Sequence, residues 1–310
     1  MKIKVIGIVY TQLKYLFHSV SNSNRYKLTK RLIQYIKSED CDLPAEEKMV
    51  LNKFLKKSLV SQISYPFIKD YHYRIVNVLW DKTKSLHFVY RNNKKLYFGR
   101  GLSKNKIRNM YNALCIEQDL RSPHAYLAFP VCYQPNDVVA DIGSAEGIWA
   151  LDVVDKVQEI YLFESEDIWI EALQATFEPW KDKVHIVNKY VTDYVDERNT
   201  TLDDYFSSEH IFPTIIKADV EGAEVPCVKG ASKLLNQHIR HALICTYHNF
   251  DDFTILAEIM KNHNFEIRSS EGYMVSIYSE PDYGCKDISK ILRKGLIHAY
   301  KQKQLIDNPC

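Results

Sequence analysis

Asp137-Val-Val-Ala-Asp-Ile-Gly-Ser-Ala-Glu-Gly-Ile-Trp149 decides how this chain is read. A β-rich apolar run stops at Asp141, Gly143 and Gly147 bracket a tight loop, and a helical pattern begins at once. Glycines in such a loop let the backbone approach a ligand closely, and the first N–H groups of the helix stand free for an anion. Dinucleotide sites use G-x-G-x-x-G; the D-x-G-x-x-x-G spacing here makes a different cradle. Outward from this turn, strands are expected at Val138–Asp141, Glu159–Phe163, Val184–Asn188, Thr214–Asp219 and His241–His248. Helices near 147–157, 167–178, 223–236 and 251–263 separate them. The alternation predicts an α/β fold with a doubly wound, mostly parallel sheet. Tyr273–Tyr278 and Leu296–Tyr300 are expected to close it as an antiparallel edge pair.

Glu164 ends the second strand, 23 positions beyond Asp141. A carboxylate there can accept hydrogen bonds from both hydroxyls of a ribose, and no basic residue beside it waits for a 2′-phosphate. The glycine loop and this acid together point to a nucleoside cofactor with a small charged tail. S-adenosylmethionine fits, with adenosine at Glu164 and the methionine end over the loop. The fourth strand delivers Asp219 and Glu221 to the carboxyl edge of the sheet, where open α/β folds bind ligands. Asp219 could equally cap the next helix, and Glu221 and Glu224 could complement its dipole. His248 follows the fifth strand onto the same edge. It is a candidate base or hydroxyl orienter, with Asp219 or Glu221 assisting and His124 as the alternative. Asp219, Glu221 and Glu224 could offer oxygens to Mg²⁺, but acids close in sequence at a helix start need not converge, and no metal is assigned.

The strings Asp141-Ile-Gly-Ser-Ala-Glu-Gly147, Phe163-Glu164, Thr201-Leu-Asp-Asp-Tyr205, Ile216-Lys-Ala-Asp-Val-Glu-Gly-Ala-Glu224 and Lys229-Gly-Ala231 together resemble the FkbM family of S-adenosylmethionine-dependent methyltransferases. The resemblance covers roughly residues 117–300. It implies the class I methyltransferase fold, a Rossmann-like, mostly parallel seven-stranded sheet, and O-methylation of a sugar, glycan or related small molecule. It places the cofactor on Asp141, Gly143, Ser144, Ala145, Gly147 and Glu164, with the adenine edge near Ser165, Tyr190 and Val191. Glu117 and His124 fall in a lead-in that resembles the segment closing over the cofactor in some members, which makes them candidates toward the substrate. The Asn/Asp-Pro-Pro-Tyr/Phe pattern of amino-methylating enzymes is missing after the fourth strand, which favours oxygen as the acceptor atom.

The chain has 310 residues, 46% hydrophobic and 26% charged, a composition that excludes disorder and allows a sizeable core. Its net charge of +2 hides a division. Residues 1–110 carry 23 Lys and Arg against seven Asp and Glu, whereas residues 111–310 carry 18 against 32. This suggests a basic accessory region of helices and a β-meander (residues 1–110) in front of an acidic catalytic domain (residues 111–310). The meander's Lys82, Lys84, Arg91, Lys94, Lys95 and Arg100 alternate with Tyr90, Tyr97 and Phe98, the composition of a single-strand RNA-binding surface. Such tyrosines more often serve packing, so nucleic acid is the lesser alternative. An anionic glycan or a second copy of the chain would use the same charge. Seven scattered cysteines without C-x-x-C argue against a disulfide framework or structural zinc. The apolar run in Met1–Tyr10 is too short for a membrane span and reads as a packed terminal helix. The expected location is the cytoplasm, with peripheral attachment at the inner membrane surface as a variant.

Overall fold

The structure, a computed structural model, describes residues 21–72, 75–277 and 287–301. The Met1–Tyr10 segment, and Tyr278 at the end of one expected strand, lie outside the described residues.

Seven strands make the main sheet: β1 (Val138–Ile142), β2 (Glu159–Phe163), β3 (Val184–Val187), β4 (Ile215–Ala218), β5 (His241–Cys245), β6 (Glu266–Ser269) and β7 (Leu296–Tyr300). Their order is β6-β7-β5-β4-β1-β2-β3. All neighbours are parallel except β7, which runs antiparallel to both β5 and β6. Successive side chains point to opposite faces. Val139, Ile160, Leu162, Ile215 and Leu243 therefore fill one buried cluster, and Ala140, Tyr161, Phe163, Ile216 and Ile244 fill the other. Helices and loops cover both faces, which is why the central strands read as unbroken apolar runs. Chain order reverses between β1 and β4, so the carboxyl ends of these strands border the crevice where such sheets bind ligands.

The doubly wound architecture is as expected, with two corrections. Leu296–Tyr300 is inserted between β5 and β6 rather than lying at the edge, and its second partner is Glu266–Ser269. That polar, half-exposed edge strand carries too little apolar alternation to be seen in sequence. Met274–Val275 pairs instead with Leu292–Arg293, outside the main sheet, and its side chains pack with the N-terminal helices. The helix expected over 223–236 is broken into Glu224–Lys229 and Ser232–Gln237. Between them Gly230 presses on the Thr192 backbone, where a Cβ would stand 2.1 Å from the carbonyl oxygen.

In the front region, helix Asn22–Lys37 starts at Ser21, whose side chain accepts the Asn24 N–H, and helix Ala45–Leu55 follows Pro44. The meander comprises Leu79–Asp81, Leu86–Arg91 and Lys94–Tyr97. Its second turn is Asn92-Asn93, with φ of 48° and 63°, the left-handed pair that a two-residue hairpin of type I′ requires. Val89, Leu96 and Phe98 of the meander, and Ile107 and Tyr111 of helix Lys104–Glu117, share one buried cluster with Val139 and Leu243. Apolar packing thus runs without a break across residue 110. The two N-terminal helices form a separate cluster with Met274, Val275, Ile277 and Ile291.

Most of the meander's basic side chains are paired within the molecule, which weakens the basis of the RNA-binding alternative. Arg91 Nε donates to Asp152 at 2.8 Å, Lys94 pairs with Asp155 at 2.6 Å, Lys95 pairs with Asp81 at 3.0 Å, and Arg100 pairs with Glu171. Lys84 also pairs with Glu178. Tyr97 and Phe98 are buried, so of the three aromatics only Tyr90 is exposed. Arg91 and Asp152 are both largely shielded from water. Arg91→Ala would leave a half-buried carboxylate unpaired, at a cost of about 3 kcal/mol. The expected result is a melting temperature lower by on the order of 5–10 °C. Lys82→Ala is the control, since Lys82 makes no ion pair among the described residues; equal melting of the two variants would contradict this account.

Cys41, Cys115, Cys227 and Cys245 are free and buried, as small core hydrophobes. Cys132 is disulfide-bonded; scattered spacing argues against a framework but says nothing about a single bridge. Among the described residues no helix is long and apolar enough to cross a membrane.

Candidate active site

The site is assembled from the loops that follow β1, β2, β4 and β5. After β1 the chain turns through Gly143, at φ 72°, and Gly147, at φ 75°, into helix Ile148–Val153. Gly143 passes so close to the end of β4 that a Cβ would lie 1.8 Å from the Asp219 carbonyl oxygen. The Gly143 and Ser144 N–H groups donate to the Phe163 carbonyl at 2.9 and 3.2 Å. From below, the Lys217 ammonium donates to the Gly143 carbonyl at 2.7 Å and pairs with Asp141 at 2.9 Å. Asp141 is buried under the loop in this ion pair, and Ser144 Oγ donates to its carbonyl at 2.8 Å.

Glu164 stands just past β2. One of its oxygens accepts the Ala145 N–H at 2.8 Å and the other accepts the Glu166 N–H at 2.8 Å. This locks the glycine loop to the end of β2. Burial raises the Glu164 carboxyl above the usual range, and the two backbone donors oppose the shift.

A cavity of about 590 Å³ opens above these loops, within the size range of small-molecule sites. Its walls are mostly apolar and include Ile142, Phe163, Val191, Val220, Ala223 and Pro226. Of the expected cofactor residues, Gly143, Glu164, Ser165, Tyr190 and Val191 line it, whereas Asp141, Ser144, Ala145 and Gly147 do not. Those four shape or hold the loop from beneath. Lys189, Thr192, Tyr194, Asp196, Glu197, Arg198 and Asn199 complete the wall and were not foreseen. They lie in or beside a short parallel pairing of Tyr190–Val191 with Asn199–Thr200, and two-residue strands leave no periodic signal in sequence.

On the other side of the loop after β4 lies a cluster of charge. Val220 lines the cavity, while its neighbours Asp219 and Glu221 face His248. His248 Nδ1 donates to Glu224 Oε1 at 2.8 Å, and His248 Nε2 stands 3.3 Å from Glu221 Oε2 and 3.8 Å from Asp219 Oδ1. Glu224 is fully buried, and its oxygens also accept the Val220 and Gly222 N–H groups at 2.9 and 3.0 Å. Asp219 Oδ2 accepts the Tyr126 hydroxyl at 2.9 Å and lies 3.4 Å from His124 Nε2. The sequence reading thus named four side chains that the fold brings together: His124, Asp219, Glu221 and His248. It missed Tyr126, the fixing role of Glu224, and Lys217. The signal for Lys217 was available, as a lysine inside an otherwise apolar strand has to be paired.

Burial alone would lower the His248 imidazole, but the Glu224 and Glu221 carboxylates outweigh it and raise its pKa to about 10. Burial raises Glu221 to about 7. Burial also pushes Asp219 upward, but the His124 hydrogen bond and the charges of Lys217, His124 and His248 win, holding it well below the usual carboxylate range. Glu117 feels the charges of His124, Asp219 and His248 and is raised by burial, and burial brings Glu146 to about 7.

Two metal-sized groupings occur here, His124 with Asp219 and Cys245, and Asp219 with Glu224 and His248, each with ligand atoms within 4.8 Å of one another. Neither suits Mg²⁺, which demands oxygen ligands and keeps several waters. Both Glu224 oxygens are already engaged, and a protonated His248 occupies the centre of the second grouping.

Residues 135–267 match the family model of the methyltransferase FkbM domain. Among solved structures, the chain is similar to a methyltransferase FkbM from Methylobacillus flagellatus KT, with 17% identity over 63% of this chain and a TM-score of 0.42. The match spans about half, 52%, of that chain's length. It is also similar to a precorrin-6y C5,15-methyltransferase from Geobacter metallireducens GS-15, with 11% identity over 54% of this chain and 81% of that one, at a TM-score of 0.38. An rRNA methylase from Streptococcus thermophilus matches at 11% identity over 55% of this chain and 89% of that one, with a TM-score of 0.33. No curated protein sequence matches the chain.

Proposed function

We propose that this chain, whose residues 135–267 match the methyltransferase FkbM domain, is an S-adenosylmethionine-dependent methyltransferase and that its methyl acceptor is a hydroxyl oxygen of a sugar, glycan or related small molecule. The observation that carries this reading is the pairing of two half-sites at one sheet edge. One is a cavity walled by Glu164 and the Gly143 loop. The other, across the loop after β4, is a cluster of carboxylates and imidazole.

The residues present fit the cofactor. Glu164 faces the cavity with acceptor capacity for ribose hydroxyls, and Gly143 lines the same wall. When bound, S-adenosylmethionine supplies an activated methyl on a sulfonium that is its own leaving group. The chain has then to align an acceptor oxygen, worth up to roughly 7–11 kcal/mol in ideal cases, and to receive its proton. Asp219, Glu221 and His248 can hydrogen-bond a hydroxyl, and Glu117 and His124 close the same cluster from the segment before β1.

A cytoplasmic setting rests on the four free buried thiols, with disulfide-bonded Cys132 as the exception. Charge steering of an anionic acceptor has little support in the meander, where five of the six basic side chains are paired within the molecule. The test is transfer of radiolabelled methyl from S-adenosylmethionine to neutral hexosides, phosphorylated glycans and RNA offered in parallel. Label on carbohydrate hydroxyls is expected; label confined to RNA would overturn the reading.

A further inference from the structure

We propose that Glu221 takes the acceptor's proton, and that His248, fixed by Glu224, is a standing cation that positions Glu221. This rests on the methyl-transfer reading above and assigns its proton.

The three acids around His248 differ in what already holds them. Glu224 has no exposure and accepts two backbone N–H groups as well as His248 Nδ1. Asp219 is held by the Tyr126 hydroxyl and His124, and Lys217 lies beneath it. The Glu221 carboxylate has no such hydrogen bond among the described residues; its one close contact is His248 Nε2, at 3.3 Å. His248 Nε2 is itself buried without a hydrogen-bond partner, so the one uncommitted nitrogen of the imidazole lies 3.3 Å from the one uncommitted carboxylate. Glu221 is also the most open of the four side chains, at 28% exposure against 19% for Asp219, 5% for His248 and none for Glu224.

The backbone supports the assignment. Glu221 sits at φ 53°, a left-handed conformation that costs a non-glycine residue on the order of 1–3 kcal/mol and persists only where its surroundings enforce it. The enforcement is visible on both sides of it. Glu224 grips the N–H groups of Val220 and Gly222, and Asn249 Nδ2 donates to the Gly222 carbonyl at 3.1 Å. The strained turn lifts the Glu221 side chain to the mouth of the cluster.

The charged groups facing the pair come from several elements. They are Asp219 and Lys217 on and after β4, Glu224 on helix Glu224–Lys229, Glu117 at the end of helix Lys104–Glu117, His124 before β1, and Asp252 at the start of helix Asp252–Asn262. Their balance keeps His248 protonated and leaves Glu221 exchanging its proton near neutrality. During transfer the acceptor oxygen gives its proton to a Glu221 oxygen and bonds the methyl carbon, while the methyl–sulfur bond breaks with its electron pair going to sulfur. Glu221 then releases the proton to water. His248 keeps its own throughout.

The test is a carbon-13 NMR titration of the full chain labelled at glutamate Cδ and histidine Cε1, with calorimetry of S-adenosylmethionine binding on the same samples. In the wild type, His248 should remain imidazolium through pH 8 and Glu221 should titrate at about 7. His248→Gln assigns the histidine signal and should move the Glu221 midpoint upward. Glu221→Gln should lower the His248 midpoint by about 1–2 units, the effect of losing one nearby opposite charge. A His248 midpoint near its ordinary value, or a Glu221 carboxylate ionised from pH 5 upward, would overturn the proposal. Should either variant fail to fold, His248→Asn or Glu221→Asp supplies the same assignment, and the assigned wild-type curve decides between these outcomes. Absence of cofactor binding with the titrations as expected would instead remove the methyl-transfer reading alone.

Discussion

Glu164→Ala should weaken S-adenosylmethionine binding by about 100-fold or more, since each hydrogen bond to a charged group contributes on the order of 1.5–3 kcal/mol and this carboxylate is placed to accept two from a ribose. The variant also frees the Ala145 and Glu166 N–H groups that Glu164 now holds at 2.8 Å each. The loop over the cavity should loosen as well, while the core strands are untouched. Calorimetric titration checks both effects. S-adenosylhomocysteine carries the same ribose and should lose affinity by a similar factor, whereas a loss confined to the sulfonium form would place Glu164 at the other end of the cofactor. Glu164→Gln keeps one acceptor oxygen and should fall between the variant and the wild type.

Gly143→Ala is the second large effect, and it acts through the fold. The added methyl would stand 1.8 Å from the Asp219 carbonyl oxygen and 2.8 Å from its carbon, at a φ of 72°. No flexible side chain can give way there, because the obstacle is the backbone leaving β4. Overpacking of this kind together with left-handed backbone should cost about 4 kcal/mol or more. The expected melting temperature is lower by on the order of 10 °C, with cofactor binding abolished in whatever remains folded. Gly101→Ala separates the two causes. Gly101 has a φ of 83° but nothing within 4 Å of a built Cβ, so it should show the backbone penalty alone, about 1 kcal/mol. Similar melting of the two variants would mean that the β1 loop and the β4 end are not in contact as described.

Much of the fold was legible because its strands obey simple rules. β1, β2 and β4 are short apolar runs closed by Gly or an acid, β5 is an apolar run closed by Thr246, and each was placed to within about three residues. The edge was harder. Glu266–Ser269 is polar and half-exposed, so nothing in its composition separates it from a loop, and the expected strand from Tyr273 alternated because Met274, Val275 and Ile277 pack on the N-terminal helices. Helix 223–236 was drawn whole because Gly230 inside a helical pattern is tolerated in general; the close approach of Thr192 that breaks it comes from a segment far away in sequence.

The site was legible to the level of residue identity and not of role. Asp219, Glu221 and His248 were found from their positions after strands, and they do converge. Which one can take a proton depends on who else holds each carboxylate, and those partners come from elsewhere in the chain: Tyr126, His124 and Glu224. In the same way the charge division between the two halves was real in sequence. Its use became visible only when Arg91, Lys94 and Arg100 were seen to meet Asp152, Asp155 and Glu171 of the acidic half.

The most direct test of the central claim is a calorimetric titration of the folded wild-type chain with S-adenosylmethionine. Single-site binding, competed by S-adenosylhomocysteine and weakened by Glu164→Ala, is the predicted result. A correctly folded protein that binds neither compound would contradict the account at its root, since the cavity at Glu164 and the Gly143 loop would then have to serve another ligand.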